Sequence, residues 1–219
     1  MQISDGLEEF KKDAEHWELT RDLERQAEGI VKLLGQYADA NPPKEALKQA
    51  KGFLAEVERW KGMSMQDQVR LAKSNPEAAV WRAFQKAMNA QTDLEAVRSI
   101  MSLIGFGSSP HPETRLRRAK RATGVLRFLK PNDWGAVDWR TIELLRLLDK
   151  HSFDVEAALA EAKTEDSRKL KRDLDHINED WACEVNLKYR AMRTSELPRA
   201  ADVEMALFGL SLLAWPLPL

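Results

Sequence analysis

Two side chains in this 219-residue chain have types and spacing suited to chemistry: Lys120 and Asp138, 18 positions apart. Lys120 stands just before the small-residue run Ala122-Thr123-Gly124. Small residues on a helix let a neighbour pack closely. A lysine held beside such packing loses water, which lowers its pKa and frees a neutral amine to act as a nucleophile. Asp138 follows the apolar run Gly135-Ala136-Val137 and opens a new helical pattern. A carboxylate so placed can stabilise an oxocarbenium-like centre or orient water, as carboxylates do in glycoside chemistry. Each residue also fits a plainer role: Lys120 as a surface lysine, Asp138 as a helix N-cap.

The surroundings of Lys120 are basic. Between Ser108 and Lys130, Arg115, Arg117, Arg118, Lys120, Arg121, Arg127 and Lys130 face Glu113 alone, a net charge of +6 in a chain whose total is −1. Such a run fits a footprint for a phosphate backbone or a solvated helix face. Just upstream, Gly105-Phe106-Gly107-Ser108-Ser109-Pro110 is the clearest turn signal in the chain. Its glycines would let backbone N–H groups approach an anion, or would simply end a core helix.

Helices have to position these residues. Ser4-Asp5 opens the first pattern, and a second runs from Leu19 to Gly35. Asn41-Pro42-Pro43 and Asn75-Pro76 are start signals, since proline is tolerated in the first turn. The first leads into a helix ending near Gly62, and Ser64 opens a short helix through Leu71. Thr92-x-x-Glu95 predicts a capping box. A basic amphipathic helix is expected over 113–129, broken by Pro131-Asn132-Asp133, and Asp138 caps the next. Phe153–Ala162 reads as a helix, and Ser167–Met192 as one long helix striped by Leu170, Leu174, Ile177, Trp181, Val185 and Tyr189. Leu197-Pro198 introduces a final helix ending at Trp215-Pro216, and the apolar tail after it fits docking on the domain or binding a partner.

Alternating Val/Ile/Thr runs are absent and Ala, Leu, Glu, Lys and Arg dominate, which predicts an all-α protein. Hydrophobic residues at 43% and charged residues at 32% suit a globular core with solvated helices. The single cysteine, Cys183, excludes an internal disulfide and a cysteine metal cluster, and fits a reducing setting. His16, His111, His151 and His176 have no metal-ligand spacing, and His16 and His176 read as surface groups among acidic neighbours. The polar start, and an apolar C-terminal stretch too short to span a bilayer, predict a cytoplasmic protein without membrane contact, nucleoid-associated in a bacterium. No phosphate-loop, Rossmann or Gly-x-Ser-x-Gly motif is present.

The order Leu103-Ile104-Gly105-Phe106-Gly107, then Ala122-Thr123-Gly124-Val125-Leu126, then Val137-Asp138-Trp139-Arg140-Thr141 resembles the helix-hairpin-helix DNA glycosylases of the endonuclease III-like superfamily. The resemblance spans about residues 92–148 and implies a multi-helix fold of that type. The whole of 1–219 reads as a single helical domain, open to division into two helical subdomains with an active-site cleft between them. The resemblance places Lys120 on the Schiff-base lysine and Asp138 on the catalytic aspartate. Gly105 and Gly107 fall on the phosphate-gripping hairpin, and the arginines Arg115, Arg117, Arg118 and Arg121 follow as phosphate contacts. One departure is plain: the family's hairpin glycines lie next to the lysine, whereas here residues 108–119 intervene.

The implied activity is excision of a damaged or modified base flipped from double-stranded DNA, with AP lyase activity where the lysine attacks C1′. No cofactor is implied, and the iron–sulfur cluster of some members lacks its cysteines. Trp134 and Trp139 are the nearest candidates for base stacking, set against a core role for each. The alternatives are a non-catalytic DNA-binding relative and a helical protein-interaction module. The lesion and any protein partner are not written in the sequence.

Overall fold

The computed structural model describes residues 1–38, 40–61, 74–106, 119–174 and 177–216. They form an all-α protein of eleven helices, with no β-strand among the described residues. In chain order these are α1 (Asp5–Lys11), α2 (Ala14–Gln36), α3 (Lys44–Trp60), α4 (Glu77–Asn89), α5 (Asp93–Met101) and α6 (Ala119–Leu129). They continue with α7 (Trp139–Lys150), α8 (Val155–Ala162), α9 (Ser167–Asp173), α10 (Glu179–Ala191) and α11 (Ala200–Leu212). No described helix is long and apolar enough to cross a membrane.

Local punctuation sets most starts. Pro43 and Pro76 stand at the N-caps of α3 and α4. Thr92 and Glu95 form the capping box of α5. Asp138 caps α7, its Oδ1 accepting from Arg140 N at 3.0 Å while its own N–H donates to Thr141 Oγ1 at 3.3 Å. Three boundaries differ from the sequence expectation. The second helix begins at Ala14, capped by Asp13, and runs through Gly35. Ser152 and Phe153 take positive φ, so α8 begins only after Asp154, whose carboxylate accepts from Ala157 N. The expected long helix is two, because Asn178 caps a fresh start by accepting from Trp181 N at 2.8 Å. The apolar stripe continues across that break, with Ile177 fully buried between α9 and α10. The expected helix over Ser64–Leu71, the start of the basic helix and the tail beyond Pro216 lie outside the described residues.

The apolar residues gather in two clusters. One joins α2, α3, α4, α5 and most of α6. The other joins α7, α8, α10 and α11, with Trp215 docked on it. Trp215 packs against Trp139 with ring centres 5.4 Å apart and planes tilted by 52°, and its carbonyl accepts from Arg140 Nε at 3.3 Å, so the described part of the tail folds back on the domain. Two helices are buried nearly all round. Helix α6, expected to be amphipathic, exposes only Lys120 and Arg121 in part. Helix α11 buries eleven of its thirteen residues, Asp202 and Glu204 included.

Helix α1 is clamped to α11 by two glycines. A Cβ on Gly209 would lie 1.9 Å from the Gly6 carbonyl oxygen, and one on Gly6 would lie 2.0 Å from that of Ala206. Backbone cannot yield as a side-chain tip can, so overpacking here should cost about 1–3 kcal/mol. Gly209→Ala is therefore expected to lower the thermal midpoint by several degrees, at roughly 2–4 °C per kcal/mol for a domain of this size. Gly29→Ala, on the open face of α2 where an added Cβ meets nothing within 4 Å, should hold or raise it. Equal midpoints for Gly209→Ala and wild type in a calorimetric scan would contradict the clamp.

Candidate active site

Asp138 reaches its position on a short extended segment, residues 134–138, that crosses between the two clusters. Buried backbone in such a segment needs partners, and side chains supply them. Gly135 N donates to Asn186 Oδ1 at 2.8 Å. Val137 N donates to Thr123 Oγ1 at 2.9 Å, and Thr123 in turn donates to the Lys120 carbonyl at 2.9 Å. The Tyr189 hydroxyl lies 2.9 Å from Thr141 Oγ1 and 3.2 Å from the Ala136 carbonyl, and burial pushes its pKa well up. Thr123 thus ties the first turn of α6 to the approach of Asp138, which is how the family-like pair comes to share a region. Gly135 permits this passage: a Cβ there would come within 2.5 Å of Glu204 Cβ.

The segment delivers Asp138 to the wall of a cavity of about 180 Å³. Its described lining is Phe10, His16, Trp60, Lys61, Asp138, Arg140, Glu204, Met205 and Phe208, from α1, α2, α3, α7 and α11. Four rings form the apolar wall. Phe10 meets Phe208 edge-on at 5.8 Å, and His16 stands 6.3, 6.4 and 6.5 Å from Phe10, Phe208 and Trp60. Trp60 is anchored by Nε1–H donation to Thr20 Oγ1 at 2.8 Å. Cavities of about 150 Å³ hold a benzene-sized ring, so this one suits a single planar group. The Asp138 carboxylate caps α7, Oδ1 accepting from Arg140 N and the side chain also facing the Thr141 backbone N–H in a capping box.

The charges behind the cavity are organised by Arg127, which has no exposed surface. Its Nε donates to Glu204 Oε2 at 3.0 Å, Glu24 Oε1 stands 3.6 Å from Nη2, and its guanidinium lies 5.4 Å from the Trp60 ring centre. Arg199 Nη2 reaches the same Glu24 oxygen at 3.2 Å and pairs with Asp202. Burial raises the Glu204 carboxyl pKa, against the lowering effect of Arg127 and Lys61. Burial lowers the Lys61 ammonium pKa, against the raising effect of Asp138 and Glu204, with Lys120 and Arg127 pushing it lower still. It also lowers that of Arg140, opposed by Asp138.

The sequence-predicted residues divide accordingly. Asp138 lines the cavity. Lys120 is half-buried and close enough for its charge to act on Lys61, but it is not among the lining residues. Arg121 donates from Nη1 to the Gly105 carbonyl at 3.1 Å. Gly105 itself is buried with φ of 93°, a turn braced further by Asn75, which pairs with both backbone groups of Ile104. The described half of the glycine turn is thus a packed helix end. Gly107, Arg115, Arg117 and Arg118 lie outside the described residues, as do His111 and His176. Arg127 leaves the expected basic surface for the interior. Trp134, fully buried, and Trp139, 4% exposed, are core residues outside the cavity lining. The rings that line it belong to Phe10, His16, Trp60 and Phe208.

His16, expected on the surface, is half-buried on the cavity wall with Asp13 3.3 Å from Nδ1. Lys61, Trp60 and Glu204 were not singled out by the sequence. Glu204 carried a signal: an acid inside an otherwise apolar helix is buried and paired. Lys61 and His16 carried none, since only the fold brings them to Asp138. No group of His, Cys, Asp and Glu among the described residues could hold a metal ion. Comparisons with protein-family models, curated proteins and solved structures find no match for this chain.

Removing one partner from a buried ion pair leaves an uncompensated charge, at a cost of about 3–5 kcal/mol. Arg127→Met should lose about that much in denaturant unfolding, and Arg127→Met with Glu204→Leu should recover a large part of it. If the single and double variants are equally destabilised, the pair is not what organises this region.

Proposed function

We propose that this protein is a DNA base-excision glycosylase that draws one damaged or modified base out of the duplex into the Asp138 cavity and breaks its N-glycosidic bond there. The observation that carries this reading is a helix-capping carboxylate on the wall of an aromatic cavity of single-ring size.

Extruding a base costs a few kcal/mol, least for a damaged or mismatched one. Stacking on aromatic side chains returns about 1–3 kcal/mol per base, and Phe10, His16, Trp60 and Phe208 offer that surface. As the base departs with the bonding electrons, positive charge grows on C1′ and the ring oxygen of the sugar. The Asp138 carboxylate is fixed in place before the reaction by its cap bond to Arg140 N, so stabilising that charge needs little reorganisation. Water adding at C1′ completes the hydrolysis and leaves an abasic sugar. The basic run ending in Lys120 and Arg121 leads along the chain directly into α6, consistent with a nearby phosphate backbone. An AP lyase step on the abasic product requires an amine nucleophile in addition.

Duplexes each carrying one damaged base are the test. Wild type is expected to release base from at least one of them and to bind duplex with a steep salt dependence. Asp138→Asn keeps a good N-cap, so it should retain duplex binding while base release falls on the order of 10²-fold or more, the scale of losing one preorganised electrostatic group. Salt-dependent binding without base release by wild type would contradict catalysis and leave a DNA-binding protein. Equal activity in Asp138→Asn would remove the carboxylate from the chemistry.

A further inference from the structure

The geometry points to Lys61, rather than Lys120, as the amine that forms an imine with an aldehyde substrate. The glycosylase reading supplies only the identity of that aldehyde, the ring-opened sugar of an abasic site.

Lys61 follows the last residue of α3 and enters the cavity that holds Asp138. Its stem lies along α6 at Gly124, where an added Cβ would come within 2.8 Å of Cε and 3.5 Å of Cγ. Any larger residue at position 124 would crowd this stem. The amine sits 5.3 Å from the centre of the Trp60 ring and makes no hydrogen bond or ion pair with a described residue. Lys11, Lys12, Lys150 and Lys188, by contrast, are each paired with a carboxylate at the surface. A buried ammonium with no carboxylate paired to it among the described residues gives up its proton more readily, and the neutral amine is the nucleophile. The charged and titratable groups facing it are Asp138 and Arg140 on α7, Glu204 on α11, Lys120 and Arg127 on α6, and His16 on α2. Their net effect together with burial is to lower the Lys61 pKa, in the direction the reaction needs.

The step balances without an external oxidant or reductant. The Lys61 Nζ lone pair attacks C1′ of the open aldehyde, the carbonyl electrons move to oxygen, and one nitrogen proton passes to that oxygen to give a carbinolamine. The second nitrogen proton passes through the Asp138 carboxylate to the hydroxyl, which leaves as water as the nitrogen lone pair forms the C1′=N bond. Asp138 is suited to this transfer because it shares the cavity with Lys61.

The full chain is incubated with borohydride and a duplex carrying one abasic site, and the adduct is mapped by peptide mass spectrometry. The expected adduct is on Lys61, and it disappears in Lys61→Met, which keeps an unbranched stem against Gly124, and in Lys61→Arg, which keeps the charge without a neutral amine. Thermal melts show whether each variant is folded, and the wild-type map stands without them. An adduct on Lys120 overturns the proposal. In parallel, propionaldehyde and cyanoborohydride label the free protein across a pH series. Lys61 is expected to label first, its rate rising at lower pH than that of Lys11 or Lys150. Labelling no faster than these surface lysines overturns the proposal. Fast labelling of Lys61 by propionaldehyde with no adduct on abasic DNA upholds the reactive amine and contradicts the DNA reading.

Discussion

A guanidinium cut off from water is tolerable in a protein only with carboxylates close by and with its hydrogen-bonding geometry satisfied in part. Arg127 meets that demand from two directions: Glu204 arrives on α11 and Glu24 on α2. Helix α6, which carries Arg127, therefore cannot slide relative to either partner without exposing a buried charge. The two apolar clusters would tolerate many relative placements, because hydrophobic contact is non-directional. The ion pair selects one. Helices α1 and α11 add a second constraint, since Gly6 and Gly209 allow an approach that any side chain would prevent.

Everything in the cavity hangs on these constraints. Glu204 is at once the partner of Arg127 and a lining residue. Trp60 is at once a neighbour of the guanidinium and a wall. Thr123, on the same helix as Arg127, holds the segment that presents Asp138. Structural charge and cavity charge thus overlap: burial lowers the Lys61 pKa and raises that of Glu204, while Glu204 opposes the first shift and Arg127 opposes the second. The proposed chemistry rests on this pairing of an amine whose pKa burial lowers with a carboxylate fixed by a helix cap.

How much of this was legible in the sequence follows from the range of the physics. Helix starts are local events, so Thr92, Asp138, Pro43 and Pro76 announced themselves within four residues. The break at Asn178 was hidden because a stripe of apolar residues records a face and not its continuity. Asp138, which lines the cavity, was legible as a candidate because its cap and its apolar approach are contiguous. Lys120 was legible for the same reason, yet the lysine that lines the cavity comes from the end of α3, 77 positions before Asp138, a juxtaposition no local pattern encodes. Arg127, counted by charge, belonged to a basic surface, but the burial of its helix neighbours Val125, Leu126, Phe128 and Leu129 marks an interior.

On the proposed function, Asp138 and Lys61 face one reacting carbon in one cavity. A crystal structure of the protein bound to a duplex containing a stable abasic-site analogue tests this most directly. The analogue's sugar is expected to be turned out of the helix, with its C1′ position between the Asp138 carboxylate and the Lys61 amine and the ring-lined cavity open beyond it. A duplex seated on another face, with neither side chain near the sugar, would contradict it.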